Sequence, residues 1–199
     1  MENVEMMNDA EIRIKGTDRI RWTTADLELL PDNGNCYEII DGELLMTRSP
    51  HINHQRTSGK IYGYLERWSD STNLGEPFFA PGIVFSDGDN VQPDLVWVSR
   101  DRLPTILDDS GHLTAAPELV VEVLSAGQTN ERRDRELKLK LYSERGVREY
   151  WIVDWRNQQV EVYRRGDRAM LELIATLFPD DTIASPILPG FSCPVARLF

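Results

Sequence analysis

Two strongly apolar segments that each carry an acidic residue constrain the fold of this chain more than any other feature. Residues 92–98 (QPDLVWV) contain Asp94 near their start, and residues 118–124 (ELVVEVL) contain Glu122 in their interior. Short apolar runs rich in β-branched residues indicate strands buried in the centre of a sheet. A carboxylate in such a strand is costly unless it is hydrogen-bonded, paired with a cation or bound to a metal. We therefore expect these two acids to serve a specific site.

Alternation along the second segment places Glu118 and Glu122 on one face of the strand, with Val121 and Val123 on the other. Two carboxylates from neighbouring strands, with coordination positions left for water, suit Mg²⁺ or Mn²⁺. A structural alternative stays open. In it, Asp94 caps a turn and Glu122 pairs with an arginine of the following helix.

The N-terminal part of the chain predicts a short helix followed by a hairpin. Thr23 or Thr24 can cap the first turn of the helix. The apolar runs 36–40 and 43–46 flank an Asp-Gly pair at 41–42. This pair supports the positive φ angles that a tight hairpin turn requires, so the two runs are expected to be paired strands.

The remaining segments predict a mixed sheet with helices against it. A long helix is expected from Ser49 to about Ser69, because Ile61, Leu65 and Trp68 recur at helical spacing. The other expected elements are a helix over 131–145 and strands over 78–85, 91–99, 119–124, 149–154 and 159–164. This order predicts the α/β class, with a central mixed β-sheet flanked by helices and preceded by an N-terminal helix and β-hairpin.

The length of 199 residues is that of one ordinary domain. Residues 1–18 are polar and aperiodic, which predicts a flexible N-terminal tail before a single domain over 19–199. Two cysteines, Cys36 and Cys193, are too few for a disulfide scaffold. No apolar run approaches the roughly 20 residues of a membrane span, and the N-terminus lacks the pattern of a signal peptide. These observations predict a cytoplasmic protein that does not bind membranes.

The charge balance argues against a tight, general DNA-binding protein. The chain has 33 acidic and 22 basic residues, for a net charge of −11. Affinity for nucleic acid rests largely on cations that meet phosphates. Basic residues outnumber acidic ones locally between 131 and 148, which predicts at most a small basic face. These bases are Arg132, Arg133, Arg135, Lys138, Lys140, Arg145 and Arg148.

The helix over 131–145 carries a lysine that could reach the two acids. Leu137, Leu141 and Tyr142 are expected to form its apolar stripe. Lys138 lies beside this stripe, so its ammonium could extend over the strand ends, whereas Lys140 points about 200° away. A lysine near a metal-bound water can orient it or stabilise charge on a phosphate. A solvated surface position for Lys138 is the alternative.

Five segments, in this order, resemble the signatures of a known family: YEIIDGE at 37–43, QPDLV at 92–96, PELVVEVLS at 117–125, KLKLY at 138–142 and GVREYWIVD at 146–154. The chain resembles the Uma family of putative restriction endonucleases, within the PD-(D/E)XK nuclease-like superfamily. The similarity extends from about residue 22 to 165.

This resemblance implies a restriction-endonuclease-like core and a divalent-metal phosphodiesterase site. Asp94 and Glu122 match the two metal ligands, and Glu38 matches an additional acid from the N-terminal part. The lysine that the superfamily places two residues after the second acid is replaced by Leu124. The resemblance implies that Lys138 takes its role, with Lys140 as the fallback. His51 and His54, at the start of the long helix, are left outside the predicted site.

The resemblance and the acidic pair together predict a Mg²⁺- or Mn²⁺-dependent endodeoxyribonuclease, a hydrolase that binds DNA weakly. Two other classes remain open: a catalytically inactive nuclease-fold binding or regulatory module, which the lysine missing at Leu124 favours, and a structural assembly domain whose buried acids form ion pairs. A homodimer is compatible with the first class, because duplex cleavage needs two active sites.

Overall fold

The computed structural model describes residues 20–47 and 49–199. The predicted tail over 1–18 lies outside these residues, and the single domain from residue 19 onward stays a prediction. Within the described ranges, no helix is long and apolar enough to cross a membrane.

The elements follow the chain in a mixed order. The helices are α1 (Thr24–Leu27), α2 (Ile52–Thr72), α3 (Leu103–Ile106), α4 (Gln128–Arg132), a π-helical segment (Arg133–Lys138), α5 (Leu139–Arg145) and a 3₁₀ turn (Val195–Arg197). The strands are β1 (Cys36–Ile40), β2 (Glu43–Thr47), β3 (Gly75–Phe79), β4 (Ile83–Ser86), β5 (Asp89–Val91), β6 (Leu95–Ser99), β7 (Leu119–Val123), β8 (Glu149–Asp154), β9 (Gln159–Arg165), β10 (Leu171–Leu177), β11 (Thr182–Ser185) and β12 (Leu188–Pro194).

A six-stranded sheet in the order β10-β9-β8-β7-β6-β3 forms the centre of the fold. Strands β7 and β8 are parallel, and the other neighbouring pairs are antiparallel. Parallel neighbours need a crossover connection, and the helical stretch from α4 to α5 supplies it. The predicted central mixed sheet with flanking helices is therefore confirmed.

Both faces of the central sheet are covered, which is why its middle strands are so apolar. On one face, α2 packs through Ile61 and Leu65, together with the β11–β12 hairpin. On the other face, α5 packs through Leu141 and Tyr142, beside a second, four-stranded sheet.

The second sheet has the order β2-β1-β5-β4 and contains the predicted hairpin. Strands β1 and β2 pair antiparallel around Asp41 and Gly42, whose φ angles are 50° and 73°. Positive φ at both turn positions is the geometry that an Asp-Gly pair favours. The hairpin is thus confirmed, and its first strand carries Glu38 into the protein interior.

Two predicted strands are each broken in the structure. The expected strand 78–85 is divided between β3 and β4, which belong to different sheets, because Ala80 has a φ of 48° and Pro81 follows it. The expected strand 91–99 is interrupted between β5 and β6, where Pro93 lacks a backbone donor. Asp94 lies in this interruption, immediately before β6.

The helix boundaries also differ from the expectation. The N-terminal helix α1 is a single turn, and α2 begins at Ile52 rather than at Ser49. His51 is the N-cap of α2, and its Nδ1 accepts a hydrogen bond from the backbone N–H of Asn53. The predicted helix over 131–145 begins earlier, at Gln128, and contains the π-helical segment.

Candidate active site

Asp94 joins three elements at the start of β6. Its Oδ2 accepts a hydrogen bond of 2.7 Å from the backbone N–H of Val123, at the end of the neighbouring strand β7. The same oxygen lies 3.2 Å from Nε2 of His54 on α2. The carboxylate is therefore held where β6 begins and β7 ends, and it is only partly exposed.

Glu122 lies one residue before that strand end and is almost completely buried. Because side chains alternate along β7, Glu122 points to the same face of the sheet as Val120. The helix α5 covers this face, and its buried Tyr142 packs there. Its Oε1 accepts hydrogen bonds from Lys138 Nζ at 2.8 Å and from the Tyr142 hydroxyl at 3.0 Å.

Glu38 approaches the same point from the second sheet. Its Oε1 accepts a hydrogen bond of 2.9 Å from the backbone N–H of Gln92 and lies 2.8 Å from Lys138 Nζ. The Lys138 ammonium thus lies between two buried carboxylates, Glu38 and Glu122. The structure brings all four predicted site residues to one place, since Asp94 lines the same cavity as these three.

The surface alternative for Lys138 is wrong, because the side chain is 2% exposed. It occupies the sheet-facing position that was expected for Leu137, which is instead 42% exposed. Leu141 and Tyr142 do pack on the sheet as predicted. Lys140, the fallback for Lys138, is exposed, and its Nζ lies 3.7 Å from Glu144 Oε1. It does not line the cavity that contains the other predicted site residues.

Carboxyl groups outnumber lysine and arginine side chains in this cluster. Glu38, Glu122, Asp94 and the buried Asp134 face two cations, Lys138 and Arg133. Burial, with the carboxylates of Asp94, Asp134 and Glu38, raises the pKa of Glu122 to about 8 despite the opposing effect of Lys138. Burial also raises the pKa of Asp134. In the metal-free protein, these buried carboxyl groups therefore hold their protons more tightly than ordinary acidic side chains do.

The donor set fits a hard divalent cation that keeps several waters. Asp94 Oδ1 and Glu122 Oε2 accept no hydrogen bond from the described residues, so one oxygen of each carboxylate is available. Within the same ranges, no cluster of three or more His, Cys, Asp or Glu side chains forms a ready metal cage. Mg²⁺ is commonly held by one or two carboxylates plus water and substrate oxygens, which matches Asp94 and Glu122.

A cavity of about 160 Å³ lies in front of these carboxylates. Its lining includes Asp94, Glu122, Lys138, Glu38, Arg133 and His54. Such a cavity can admit a phosphoryl group and water, and its lining combines carboxylates with cations.

Several residues at the site were not expected from the sequence. The Tyr142 hydroxyl contacts Glu122, although the helical spacing predicts Tyr142 only as part of an apolar stripe. His54, left outside the predicted site, contacts Asp94, and its buried Nδ1 has no hydrogen-bond partner among the described residues. In the sequence, Arg133 and Asp134 are members of a charged run. Their positions around the helix axis bury both of them.

Glu118 shares a strand face with Glu122 but lies away from the cavity. Its carboxylate accepts hydrogen bonds from Ser99 N–H and Oγ, at 3.2 and 2.6 Å, and lies 3.3 Å from Arg102. This acid therefore has a structural set of partners.

The predicted basic face over 131–148 is largely neutralised. All of its bases except Arg148 pair with a carboxylate within the described part of the chain. This pairing reduces the charge available to phosphates on the helix exterior and fits the prediction of weak nucleic-acid binding.

The comparisons with known proteins concern both fold and family. The crystal structure of a protein from Anabaena variabilis, described as a putative nuclease belonging to DUF820, matches with a TM-score of 0.70 and 20% sequence identity. The match covers 89% of this chain and 97% of that chain, and at this identity it shows a shared fold. No curated protein matches the chain. The profile of the Uma2 family, described as "Putative restriction endonuclease", matches residues 24–196, so the chain belongs to the Uma2 family.

Proposed function

We propose that this protein is a divalent-metal-dependent endonuclease that hydrolyses phosphodiester bonds in DNA. The observation that carries the proposal is the convergence of Asp94, Glu122, Glu38 and Lys138 on one cavity, with more carboxylates than cations. Membership of the Uma2 family supports the same class of activity.

Asp94 and Glu122 would hold Mg²⁺ or Mn²⁺ through the oxygens that the described residues leave unbonded. A divalent ion at such a site lowers the pKa of a bound water and polarises phosphoryl oxygens. The strand β7 positions both ligands, because Glu122 belongs to it and its last backbone N–H, that of Val123, holds Asp94.

The chain's own residues would orient the reacting groups. Tyr142 and Lys138 fix the Glu122 carboxylate by two hydrogen bonds to one oxygen, which leaves the other oxygen directed elsewhere. Glu38 holds the Lys138 ammonium in place through a second carboxylate contact, at 2.8 Å. A buried ammonium beside the cavity stabilises the negative charge that develops on a phosphate during attack. Leu124 is buried in the core, so the helix would supply the lysine that β7 lacks.

The two cysteines are free thiols, which supports a reducing compartment and the cytoplasmic location that we include in the proposal. A homodimer stays a prediction, based on the need for two sites in duplex cleavage.

Nicking of supercoiled plasmid in Mg²⁺ or Mn²⁺ tests the proposal. The wild type should nick, and Asp94→Asn should lower the rate by at least 10²-fold while keeping an acceptor for the Val123 N–H. Lys138→Ala and Glu122→Ala should also lose activity. Asp101→Asn, at an exposed turn position, is the matched control and should nick as the wild type does. Equal rates in all variants would show a contaminating nuclease and contradict the proposal.

A Mn²⁺ titration followed by calorimetry separates the remaining classes. An inactive binding module would bind Mn²⁺ through Asp94 and Glu122 without nicking DNA. A structural assembly domain would bind no Mn²⁺, and Asp94→Asn would change nothing in the titration. The ion pairs of Lys138 with Glu38 and Glu122 are the observation that favours a structural assembly domain.

A further inference from the structure

Arg133 forms part of the cavity wall but has no part in the mechanism above. It is the first residue of the π-helical segment, and its side chain is 10% exposed. It lines the same cavity as Asp94, Glu122 and Lys138. Arginine is protonated at all physiological pH values, so this wall carries a permanent positive charge.

Two contacts fix the orientation of the guanidinium. Its Nε donates a hydrogen bond of 3.0 Å to Asp134 Oδ1, and its Nη1 donates one of 2.6 Å to Thr47 Oγ1 on β2. The group is therefore held between the helix and the second sheet. A planar guanidinium held at two nitrogens has a defined direction for its remaining donors.

The remaining donors are not used within the described part of the chain. Arg133 Nη2 donates no hydrogen bond to any described residue, although the side chain is nearly buried. The Lys138 ammonium, by contrast, is engaged by both Glu38 and Glu122. Arg133 thus has donors that the described residues leave unused.

We propose that the free edge of Arg133 binds a phosphoryl oxygen, so that the cavity contains a phosphate subsite beside the acidic pair. The inference rests on the proposed function, in which the ligand is a phosphodiester of a nucleic acid. A guanidinium matches phosphate geometry through parallel N–H donors, and such charge-assisted hydrogen bonds are among the strong ones. Thr47 acts as a positioning residue, because its hydroxyl sets the direction of the guanidinium.

The ion pair with Asp134 could alone account for a buried arginine. That explanation predicts that Arg133 matters for stability and not for phosphate binding. The contact to Thr47, and the position of Arg133 in the cavity lining with Nη2 unused by the described residues, go beyond what an ion pair requires. The two explanations differ in a measurement on the ligand.

The test is the binding of inorganic phosphate, measured by calorimetry with and without Mg²⁺, in wild type and variants. Arg133→Gln should weaken binding by about tenfold or more, the usual effect of losing a hydrogen bond to a charged group. Thr47→Val should weaken it several-fold, because the guanidinium loses one anchor. Arg132→Gln is the matched control: Arg132 is exposed, pairs with Glu136, and should leave phosphate binding unchanged.

A second variant covers the case in which Arg133→Gln does not fold. The double substitution Arg133→Gln/Asp134→Asn removes both charges of the buried ion pair, so neither charge is left buried without its partner, which is the costly case. It should fold and still lose phosphate binding. Arg133→Lys, which keeps the charge but not the forked geometry, should restore only part of the affinity.

The outcomes separate this inference from the proposed function. If phosphate binding depends on Arg133 but the wild type nicks plasmid no faster than Asp94→Asn does, the subsite stands and the nuclease proposal fails. If nicking depends on Asp94 while phosphate affinity and the KM for DNA are the same in wild type, Arg133→Gln and the double variant, the subsite is overturned. Absence of phosphate binding in the wild type, with and without Mg²⁺, also overturns it.

Discussion

The Lys138 ammonium lies 2.8 Å from Glu122 Oε1, and both side chains are almost fully buried. Glu38 Oε1 lies at the same distance from this ammonium, so one cation serves two carboxylates. Charges removed from water are tolerated only while their partners are present. Each of these three side chains is therefore a sensitive probe of the site.

Replacement of Lys138 should destabilise the protein strongly. Lys138→Met leaves Glu38 buried without its cation and removes a hydrogen-bond donor from Glu122, which typically costs about 3–5 kcal/mol in the free energy of unfolding. Urea denaturation at pH 7 measures this loss. Lys140→Met, at an exposed position on the same helix, should change the free energy by no more than about 0.5 kcal/mol. Similar effects for the two variants would contradict the buried ion pair.

The Tyr142 hydroxyl should contribute measurably to the free energy of unfolding through its hydrogen bond to Glu122. Tyr142→Phe removes a donor to a charged acceptor inside the core, and we expect a loss of about 1.5–3 kcal/mol in the free energy of unfolding. The control is Tyr37→Phe, whose hydroxyl contacts Asn33 at an exposed position and should cost much less. A loss for Tyr142→Phe no larger than for Tyr37→Phe would mean that the hydrogen bond does not hold Glu122.

The two main acids could be predicted from the sequence because each is anomalous where it occurs. Glu122 interrupts an apolar run, and Asp94 follows a proline at the beginning of another, so their environment was evident without any structure. The hairpin that carries Glu38 could be predicted for an equally local reason, its Asp-Gly turn. Local sequence thus predicts the strands that form the site.

The helix side of the site could not be predicted in the same way. Asp134, Lys138, Leu141 and Tyr142 recur at ordinary helical spacing and form the buried face, whereas Leu137 is exposed. Two of these four buried positions are charged, so hydrophobicity alone does not indicate this face. The contact of Arg133 with Thr47 joins residues 86 positions apart, which only the tertiary fold determines.

The stability of the metal-free protein should depend on pH through Glu122. Its pKa is raised from an ordinary value of 4.5 to about 8, chiefly by burial, so the folded state binds this proton more tightly than the unfolded chain does. Stability should therefore fall as pH rises from about 4.5 to about 8, the range in which the unfolded chain has already lost the proton.

Urea denaturation of wild type and Glu122→Gln across this range, in a chelating buffer, measures the effect. The Gln variant cannot ionise, so its stability should gain on that of the wild type as pH rises. Glu144→Gln, on the surface, serves as the control and should follow the wild type. A constant difference between wild type and Glu122→Gln at all pH values would show that Glu122 does not titrate in this range. Saturating Mn²⁺ should remove the penalty, because metal binding displaces the proton.

Cys36 should report the electrostatic potential of the cavity that it lines. Burial, with Glu38 as the next contributor, raises the pKa of this thiol to about 11, and its Sγ donates a hydrogen bond to Gln92 Oε1. Only the thiolate reacts with iodoacetamide, so alkylation at pH 8 should be much slower than for a free cysteine and should accelerate as pH rises toward 11. Cys193→Ala removes the other thiol and isolates the signal. In that background Glu38→Gln should raise the alkylation rate at pH 8, because it removes a carboxylate that disfavours the thiolate. A rate that matches free cysteine, or that does not respond to Glu38→Gln, would contradict the negative potential on which the metal site depends.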